Sequence, residues 1–186
     1  MEEEIIISGF GGQGALFAGQ LLAYAGMKQG YHVTWIPAYG PEMRGGTARC
    51  TVVVSSDEIG SPLVCHPSCA IVLNMPSMST FEPLVKVGGI LVVNTTLISQ
   101  QSERDDIRIC YLPAGELAVE LGDIRLTNVI CLSALVEVMG LLSVDDLKDA
   151  LPMALPDRHK DMLGTNAEAI DQGAAWVYHR AARGVV

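Results

Sequence analysis

Segment 9–14 is the part of the sequence whose residue types and spacing are best suited to binding chemistry. Its spacing is that of the G-x-G-x-x-G fingerprint, and it reads Gly9-Phe10-Gly11-Gly12-Gln13-Gly14. Glycines permit a tight turn, and free amides at the start of a following helix face an anion. We therefore expect either an anion-binding loop or, in the plainer alternative, a turn that only lets the helix pack closely on its strand.

A dinucleotide is the usual ligand of this fingerprint, but one further feature of such sites is missing. Dinucleotide-binding folds carry an Asp or Glu about 20 residues further on, at the end of the second strand. Here that strand ends in Trp35-Ile36-Pro37, and the nearest carboxylate is Glu42 in the next loop. A free-standing oxidoreductase that binds NAD or FAD is therefore the weaker interpretation.

A second candidate segment reads Tyr39-Gly40-Pro41-Glu42-Met43-Arg44-Gly45-Gly46-Thr47. Its prolines and glycines predict an irregular loop from Pro37 onward. Arg44 could bind an oxyanion, because a guanidinium forms two parallel hydrogen bonds to carboxylate or phosphate. The alternative is an interface loop in which Glu42 and Arg44 pair across a subunit boundary.

The elements that position both segments follow from apolar patterning. Short apolar runs predict strands at 4–8, 31–36, 48–55, 70–74, 90–94 and 107–111. Helical patterns cover 15–29, 77–86, 114–121, 128–142, 144–151 and about 158–182. We expect one α/β domain over 1–186, a Rossmann-like three-layer fold with a mostly parallel or mixed sheet and a helical C-terminal end.

Local signals refine these helix ends. Gly30 is expected to end the first helix, and Ser143 with Asp146 has the spacing of a capping box. Ser79 with Glu82 has the same spacing near the start of the short second helix. Asn128 interrupts an apolar stretch and is either a buried polar anchor or a helix cap.

Composition narrows the classes of function. Hydrophobic residues make up 49% of the chain and charged residues 18%, which favours a surface partly covered by partners. The formal net charge is −9 and the basic residues are not clustered, which argues against nucleic-acid binding. We see neither a secretory signal nor a run of about 18 apolar residues, so a cytoplasmic location away from membranes is expected.

The five cysteines do not predict a metal centre. Cys50, Cys110 and Cys131 lie in apolar segments and are expected to be reduced core residues. Segment 65–69, Cys-His-Pro-Ser-Cys, offers three ligand side chains, whereas a structural zinc site takes four ligands and an iron–sulfur cluster usually four cysteines. We expect no metal on this chain.

The two loops together resemble a known family. Segments 7–14 and 39–47 are similar to those of the gamma subunit of 2-oxoacid:ferredoxin oxidoreductases, which include the 2-oxoglutarate, pyruvate and ketoisovalerate enzymes. The likeness continues through segments 59–62, 74–77, 81–84 and 88–89 and the helical end, so it covers nearly the whole chain.

This resemblance implies a subunit of a complex that decarboxylates a 2-oxoacid oxidatively, with 2-oxoglutarate favoured. Such a complex makes an acyl-CoA and passes electrons to ferredoxin. Its thiamine diphosphate, Mg²⁺ and iron–sulfur clusters are held mainly by other subunits. The partners would be alpha and beta subunits, with a delta subunit as a further candidate and a homodimer open to the isolated chain, which is expected to be inactive.

The sequence agrees with this division of labour. It has no Gly-Asp-Gly segment followed by an Asn pair, the usual diphosphate-and-magnesium signature, and no four-cysteine motif. We therefore assign no catalytic residue. The candidate binding residues for CoA phosphates or a substrate carboxylate are Gly9, Gly11, Gly12, Gln13, Gly14, Arg44, Gly45 and Gly46. A stand-alone binding module of the same fold remains the further alternative.

Overall fold

The structure, a computed structural model, describes residues 1–40 and 46–181, the last three of these by backbone alone. Its strands are β1 (Glu2–Phe10), β2 (His32–Tyr39), β3 (Thr47–Ser55), β4 (Cys69–Val72), β5 (Ile90–Asn94) and β6 (Arg108–Leu112). Its α-helices are α1 (Ala15–Lys28), α2 (Met75–Phe81), α3 (Ala114–Glu120), α4 (Thr127–Met139), α5 (Val144–Ala154) and α6 (Leu163–Ala181). Short 3-10 turns occur at Glu82–Leu84, Ile124–Leu126 and Asp157–Met162.

The strands form one mixed sheet in the order β2-β3-β1-β4-β5-β6. Strands β4, β5 and β6 continue the sheet from β1 in parallel, whereas β3 runs antiparallel to both β1 and β2. From β1 the chain passes to the β2 edge and returns through β3, and it then continues on the opposite side of β1. Ligands of open α/β sheets bind outside the carboxyl ends of the strands at such a switch point.

Alternation along the strands divides the core between the two faces of the sheet. Ile5 and Ile7 of β1 join the larger cluster, which includes buried residues of α1, α4 and α5. Ile6, between them, joins a smaller cluster that contains Met78 and Phe81 of α2. This arrangement of helices on both faces of a mixed sheet confirms the predicted α/β three-layer class.

Two local predictions are confirmed and one is wrong. Gly30 follows α1 with a φ of 83°, and Ser143 and Asp146 form the capping box of α5. The capping box expected at Ser79 is absent, because α2 already begins at Met75, four residues before Ser79. Asn74 lies two residues after the end of β4 and has an extended backbone. Its Oδ1 accepts a hydrogen bond from the N–H of Ser77 at 3.0 Å, so the Asn74 side chain is the actual cap.

Strand β2 is also longer than predicted. It runs through Pro37 to Tyr39, which were expected to lie in a loop. Because β2 is an edge strand bonded to β3 alone, a proline can be accommodated there without breaking a central ladder. Among the described residues, no helix is both long and apolar enough to cross a membrane.

Candidate functional site

The glycine loop, residues 9–14, forms the turn between the carboxyl end of β1 and the start of α1. Gly12 and Gly14 have φ values of 99° and 76°, which residues with a side chain rarely adopt. A Cβ atom added at Gly14 would lie 2.4 Å from Nδ2 of Asn128, whereas one added at Gly12 would meet no atom within 4 Å. Gly14 is therefore required by conformation and by space, and Gly12 by conformation alone.

Gln13 holds this loop from inside the protein. Its Oε1 accepts hydrogen bonds from the N–H of Phe10 at 2.6 Å and from Nδ2 of Asn74 at 2.9 Å. Gly9 fits against the same group, since a Cβ added there would lie 2.7 Å from Oε1 of Gln13. The Gln13 side chain thus fixes the shape of the loop, and a ligand would meet the loop mainly through its backbone.

The two segments identified from the sequence meet in space. The N–H of Gly11 donates a hydrogen bond to the carbonyl oxygen of Gly46 at 2.9 Å. Gly46 therefore lies beside the glycine loop, at the end of the segment that leads into β3. Arg44 and Gly45 lie outside the described residues.

The start of α1 offers N–H groups to a ligand. No described residue accepts a hydrogen bond from the N–H of Gly12, Gly14 or Ala15. The first N–H groups of a helix have no partner within the helix, and Gly14 at the N-cap has no side chain to supply one. The first turn of α1 also contains no acidic residue, so its partial positive charge is left for an anion.

A crevice of about 300 Å³ adjoins this helix start. Its apolar lining comes from Phe17 of α1 and from Leu126, Leu155, Pro156 and Met162 in the C-terminal half. Its polar lining consists of the backbone of Gly12 and Gly14 together with Arg125, Asn128, His159 and Asn166. We call this space the glycine-loop crevice; it combines the start of α1 with a largely apolar wall.

Asn128 connects the two sides of the crevice. Its Nδ2 donates to the carbonyl oxygen of Gly14 at 2.8 Å, and the residue is only 3% exposed. Its Oδ1 is buried without a partner among the described residues. The sequence left open a polar anchor or a helix cap; the residue is an anchor, since it lies inside α4 and the N-cap is Leu126.

Arg125 lies at the same crevice and was not identified from the sequence. Its guanidinium donates to both oxygens of the Asp123 carboxylate, from Nε to Oδ1 at 3.0 Å and to Oδ2 at 2.9 Å, and from Nη2 to Oδ2 at 2.7 Å. This contact holds the pKa of Asp123 below its usual value. The close Asp-x-Arg spacing could have suggested the pair, but nothing local in the sequence places it beside a loop more than 100 residues away.

Cys65 and Cys69 do not share a ligand site in the described structure. Cys65 is exposed, whereas Cys69 is buried in β4 and burial raises the pKa of its thiol to about 12. Among the described residues, no group of three or more His, Cys, Asp or Glu side chains is placed to hold a metal ion. The donor set on these residues therefore does not fit an iron–sulfur cluster.

Comparison with known proteins identifies the class of protein to which this fold and crevice belong. The family model for pyruvate ferredoxin/flavodoxin oxidoreductase matches residues 4–176. The chain is 36% identical over 177 residues to ketoisovalerate oxidoreductase subunit VorA of Methanothermobacter marburgensis, a match that covers 94% of this chain and 36% of VorA. It is 33% identical over 163 residues to 2-oxoglutarate synthase subunit KorC of the same organism, covering 84% of this chain and 88% of KorC.

A solved structure supports the fold. The gamma subunit of a keto/oxoacid ferredoxin oxidoreductase from Geobacter sulfurreducens superposes with a TM-score of 0.81, at 23% identity and over 95% of this chain and 99% of that one. The chain belongs to the pyruvate ferredoxin/flavodoxin oxidoreductase family, as its two loops suggested. It spans about a third of the length of VorA and most of the length of KorC.

Proposed function

We propose that this chain is the gamma subunit of a complex that oxidatively decarboxylates a 2-oxoacid to an acyl-CoA with ferredoxin as electron acceptor. Membership of the pyruvate ferredoxin/flavodoxin oxidoreductase family supports this activity, and VorA and KorC are named as subunits of a ketoisovalerate oxidoreductase and a 2-oxoglutarate synthase. We favour 2-oxoglutarate as the substrate, because the KorC protein is matched over most of its length. A branched 2-oxoacid is the competing substrate, since VorA is slightly more similar over the aligned residues.

The role of the chain within the complex is to bind CoA and to support assembly. The observation that carries this role is the hydrogen bond from Gly11 to Gly46, which sets the described end of the second loop beside the glycine loop and the start of α1. Those N–H groups suit the phosphates of CoA, and the apolar wall of the glycine-loop crevice suits its uncharged parts. Gly9 and Gln13 hold the loop in shape, while Gly12, Gly14 and Arg44 face the phosphates in this proposal.

No chemical step is assigned to the side chains of this chain. Thiamine diphosphate with Mg²⁺ would supply the carbanion chemistry and iron–sulfur clusters the electron transfer, in the alpha, beta and delta partners. The described residues of this chain would orient CoA and exclude water around it. The chain is thus a part of an enzyme that we expect to be inactive alone.

The free-standing dinucleotide enzyme is less well supported. In a dinucleotide-binding fold the strand beside β1 runs parallel to it and ends in the acid that binds ribose. Here the neighbour on that side is the antiparallel β3, and β2 lies one strand further away. Titration of the purified chain with NAD, NADP and FAD tests this alternative, and binding of any of them at millimolar concentration would favour it.

The main test is reconstitution. The chain is purified alone, and separately co-expressed with candidate alpha, beta and delta subunits from the same source, and CoA-dependent reduction of ferredoxin is measured with a panel of 2-oxoacids. We expect turnover only in the co-purified complex, with 2-oxoglutarate giving the highest kcat/KM. Turnover by the chain alone, or a complex that forms and works without it, would refute the proposal.

A second test addresses CoA binding by the Arg44 loop. In the assembled complex, Arg44→Ala should raise KM for CoA about tenfold or more while kcat and assembly are unchanged, because one charge-assisted contact is lost. Arg158→Ala, an exposed arginine in the 3-10 turn before α6, serves as the matched control. Loss of assembly in Arg44→Ala alone would instead favour the subunit-interface interpretation.

A further inference from the structure

A second cavity, of about 250 Å³, opens on the other face of the sheet from the glycine-loop crevice. It shares no lining residue with that crevice. Its polar lining includes Ser8 of β1, Arg49 of β3, and Ser77 and Thr80 of α2, and Phe81 supplies an aromatic wall. We call it the Arg49 cavity. Arg49 is the charged residue of its described lining, so the cavity has a positive character.

The guanidinium of Arg49 packs over an aromatic ring and pairs with no carboxylate among the described residues. It lies over the ring of Phe81, 5.7 Å from the ring centre. Arg104 and Arg125 each form an ion pair with a carboxylate two residues away, at 2.7 Å in both cases. Arg49 forms no hydrogen bond or ion pair with any described residue, although the chain carries a net charge of −9. None of its N–H donors is used by a described residue, and their planar arrangement suits an oxyanion.

Two buried hydroxyl groups line the same cavity. The Oγ atoms of Ser8 and Ser77 are 3.0 Å apart, and these residues are 1% and 3% exposed. A single hydrogen bond between two hydroxyls uses one O–H group as donor and leaves the other without an acceptor among the described residues. A buried donor that lacks an acceptor is unfavourable, so an acceptor atom within the cavity would stabilise this arrangement.

We propose that the Arg49 cavity binds a small oxyanion, a carboxylate or phosphate group, between the Arg49 guanidinium and the Ser8–Ser77 hydroxyl pair. The guanidinium and the hydroxyl whose O–H is not used in the Ser8–Ser77 bond can donate hydrogen bonds, and no carboxylate among the described lining residues would repel the ligand. The volume is suited to one terminal group of a ligand or to a small free anion. Tyr39, Gly40 and Thr47 of the second loop border this cavity, but Arg49, Ser8 and Ser77 have no part in the CoA site proposed above.

The binding test uses the full 186-residue chain labelled with ¹⁵N and titrated at constant ionic strength with inorganic phosphate, succinate or chloride. We expect saturable shifts of the Arg49 Nε–H signal and of the Ser77 and Thr80 amides with phosphate or succinate, but not with chloride. The tighter of the two probes identifies the preferred head group. Unchanged Arg49, Ser77 and Thr80 signals at millimolar phosphate and succinate would refute the site.

Variants locate the binding. Arg49→Gln should weaken the binding of the tighter probe about tenfold or more, because the charge-assisted hydrogen bonds are lost. Arg49→Lys keeps the charge without the planar fork and should give an intermediate affinity, which also serves if Arg49→Gln folds poorly. Ser77→Ala should weaken binding by a smaller factor, and Arg158→Gln is the matched control expected to bind like the parent.

Two results would assign the anion to another place. Loss of binding in Arg125→Gln but not in Arg49→Gln would place it in the glycine-loop crevice and refute the Arg49 cavity. Binding that appears only in Glu42→Gln would mean that a carboxylate of the chain itself already occupies the position, and this too would overturn the proposal. Binding lost in Arg49→Gln and retained in Arg125→Gln and Arg158→Gln is the expected pattern.

Discussion

Nδ2 of Asn128 donates a hydrogen bond to the carbonyl oxygen of Gly14 across 114 residues of sequence, at a distance of 2.8 Å. The bond joins the first turn of α4 to the glycine loop. The same carbonyl also accepts the N–H of Ala18 at 3.0 Å, so it keeps one partner if Asn128 is removed. Asn128 therefore fixes the position of the loop more than it satisfies an otherwise unpaired atom.

Replacement of Asn128 should have a graded effect. Asn128→Ala loses one buried hydrogen bond and should lower the free energy of unfolding by about 1 kcal/mol. Asn128→Asp should lower it further, by about 3 kcal/mol, because a buried carboxylate would face the Gly14 carbonyl with no donor between them. Urea denaturation at neutral pH measures both. An aspartate variant as stable as the parent would contradict the described orientation of the amide.

Alanine at Gly12 and Gly14, the two glycines of the glycine loop with positive φ, should separate the cost of conformation from the cost of crowding. Gly12→Ala should cost about 1–2 kcal/mol, the penalty for a left-handed backbone conformation. Gly14→Ala should cost more, since its Cβ would also lie 2.4 Å from Nδ2 of Asn128. Combining Gly14→Ala with Asn128→Ala should recover only the part of the free energy of unfolding that is lost to crowding, and a double-mutant cycle measures this part.

The matched control for these glycine variants lies in α6. Gly164 has no positive φ and a Cβ there would meet no atom within 4 Å. Gly164→Ala should therefore leave stability unchanged or raise it by up to about 1 kcal/mol, because alanine favours the helix. Equal losses at Gly12, Gly14 and Gly164 would mean that general destabilisation, and not the local geometry, determines the outcome.

Interactions between residues close together in the sequence account for the features that could be predicted from it. The β1–loop–α1 unit, the end of α1 at Gly30 and the start of α5 at Ser143 each depend on residues within one or two turns. The start of α2 was predicted wrongly for a reason that is also local. Asn74 and Ser79 are both suitable as helix caps, and Asn74 is the cap because its backbone is extended where the chain leaves β4.

The wall of the glycine-loop crevice that comes from the C-terminal half of the chain could not be predicted from the sequence, because tertiary packing places it beside the loop. Arg125, His159 and Met162 belong to short 3-10 turns whose patterns resemble ordinary connections. In the alternation of side chains along β3, Arg49 takes the position of a solvent-facing residue. Only the placement of α2 beside it forms a cavity. The predicted role of Arg44 stays a prediction, since it lies outside the described residues.

The thiols should differ widely in reactivity. Cys65 is exposed, whereas burial raises the pKa of Cys50 and Cys69 to about 12 and raises the pKa of Cys131 as well. With a disulfide reagent at neutral pH, we expect rapid labelling of Cys65 and labelling of the buried thiols only after unfolding in urea. Cys65→Ser should remove the rapid phase. A rapid phase that persists in this variant would contradict the described burial of the other thiols.

The contact between Arg125 and Asp123 should make part of the stability depend on pH. Arg125 lowers the pKa of Asp123 in the folded state, so the contribution is present above the unfolded pKa of about 3.9 and is lost as pH falls through the folded value. The stability difference between parent and Arg125→Gln should therefore be largest at neutral pH and vanish in strong acid. Urea denaturation across this range measures it, with Lys160→Gln, which breaks the exposed pair with Asp157, as the control. A difference that does not vary with pH would mean that Arg125 stabilises the crevice by packing, and not by its charge.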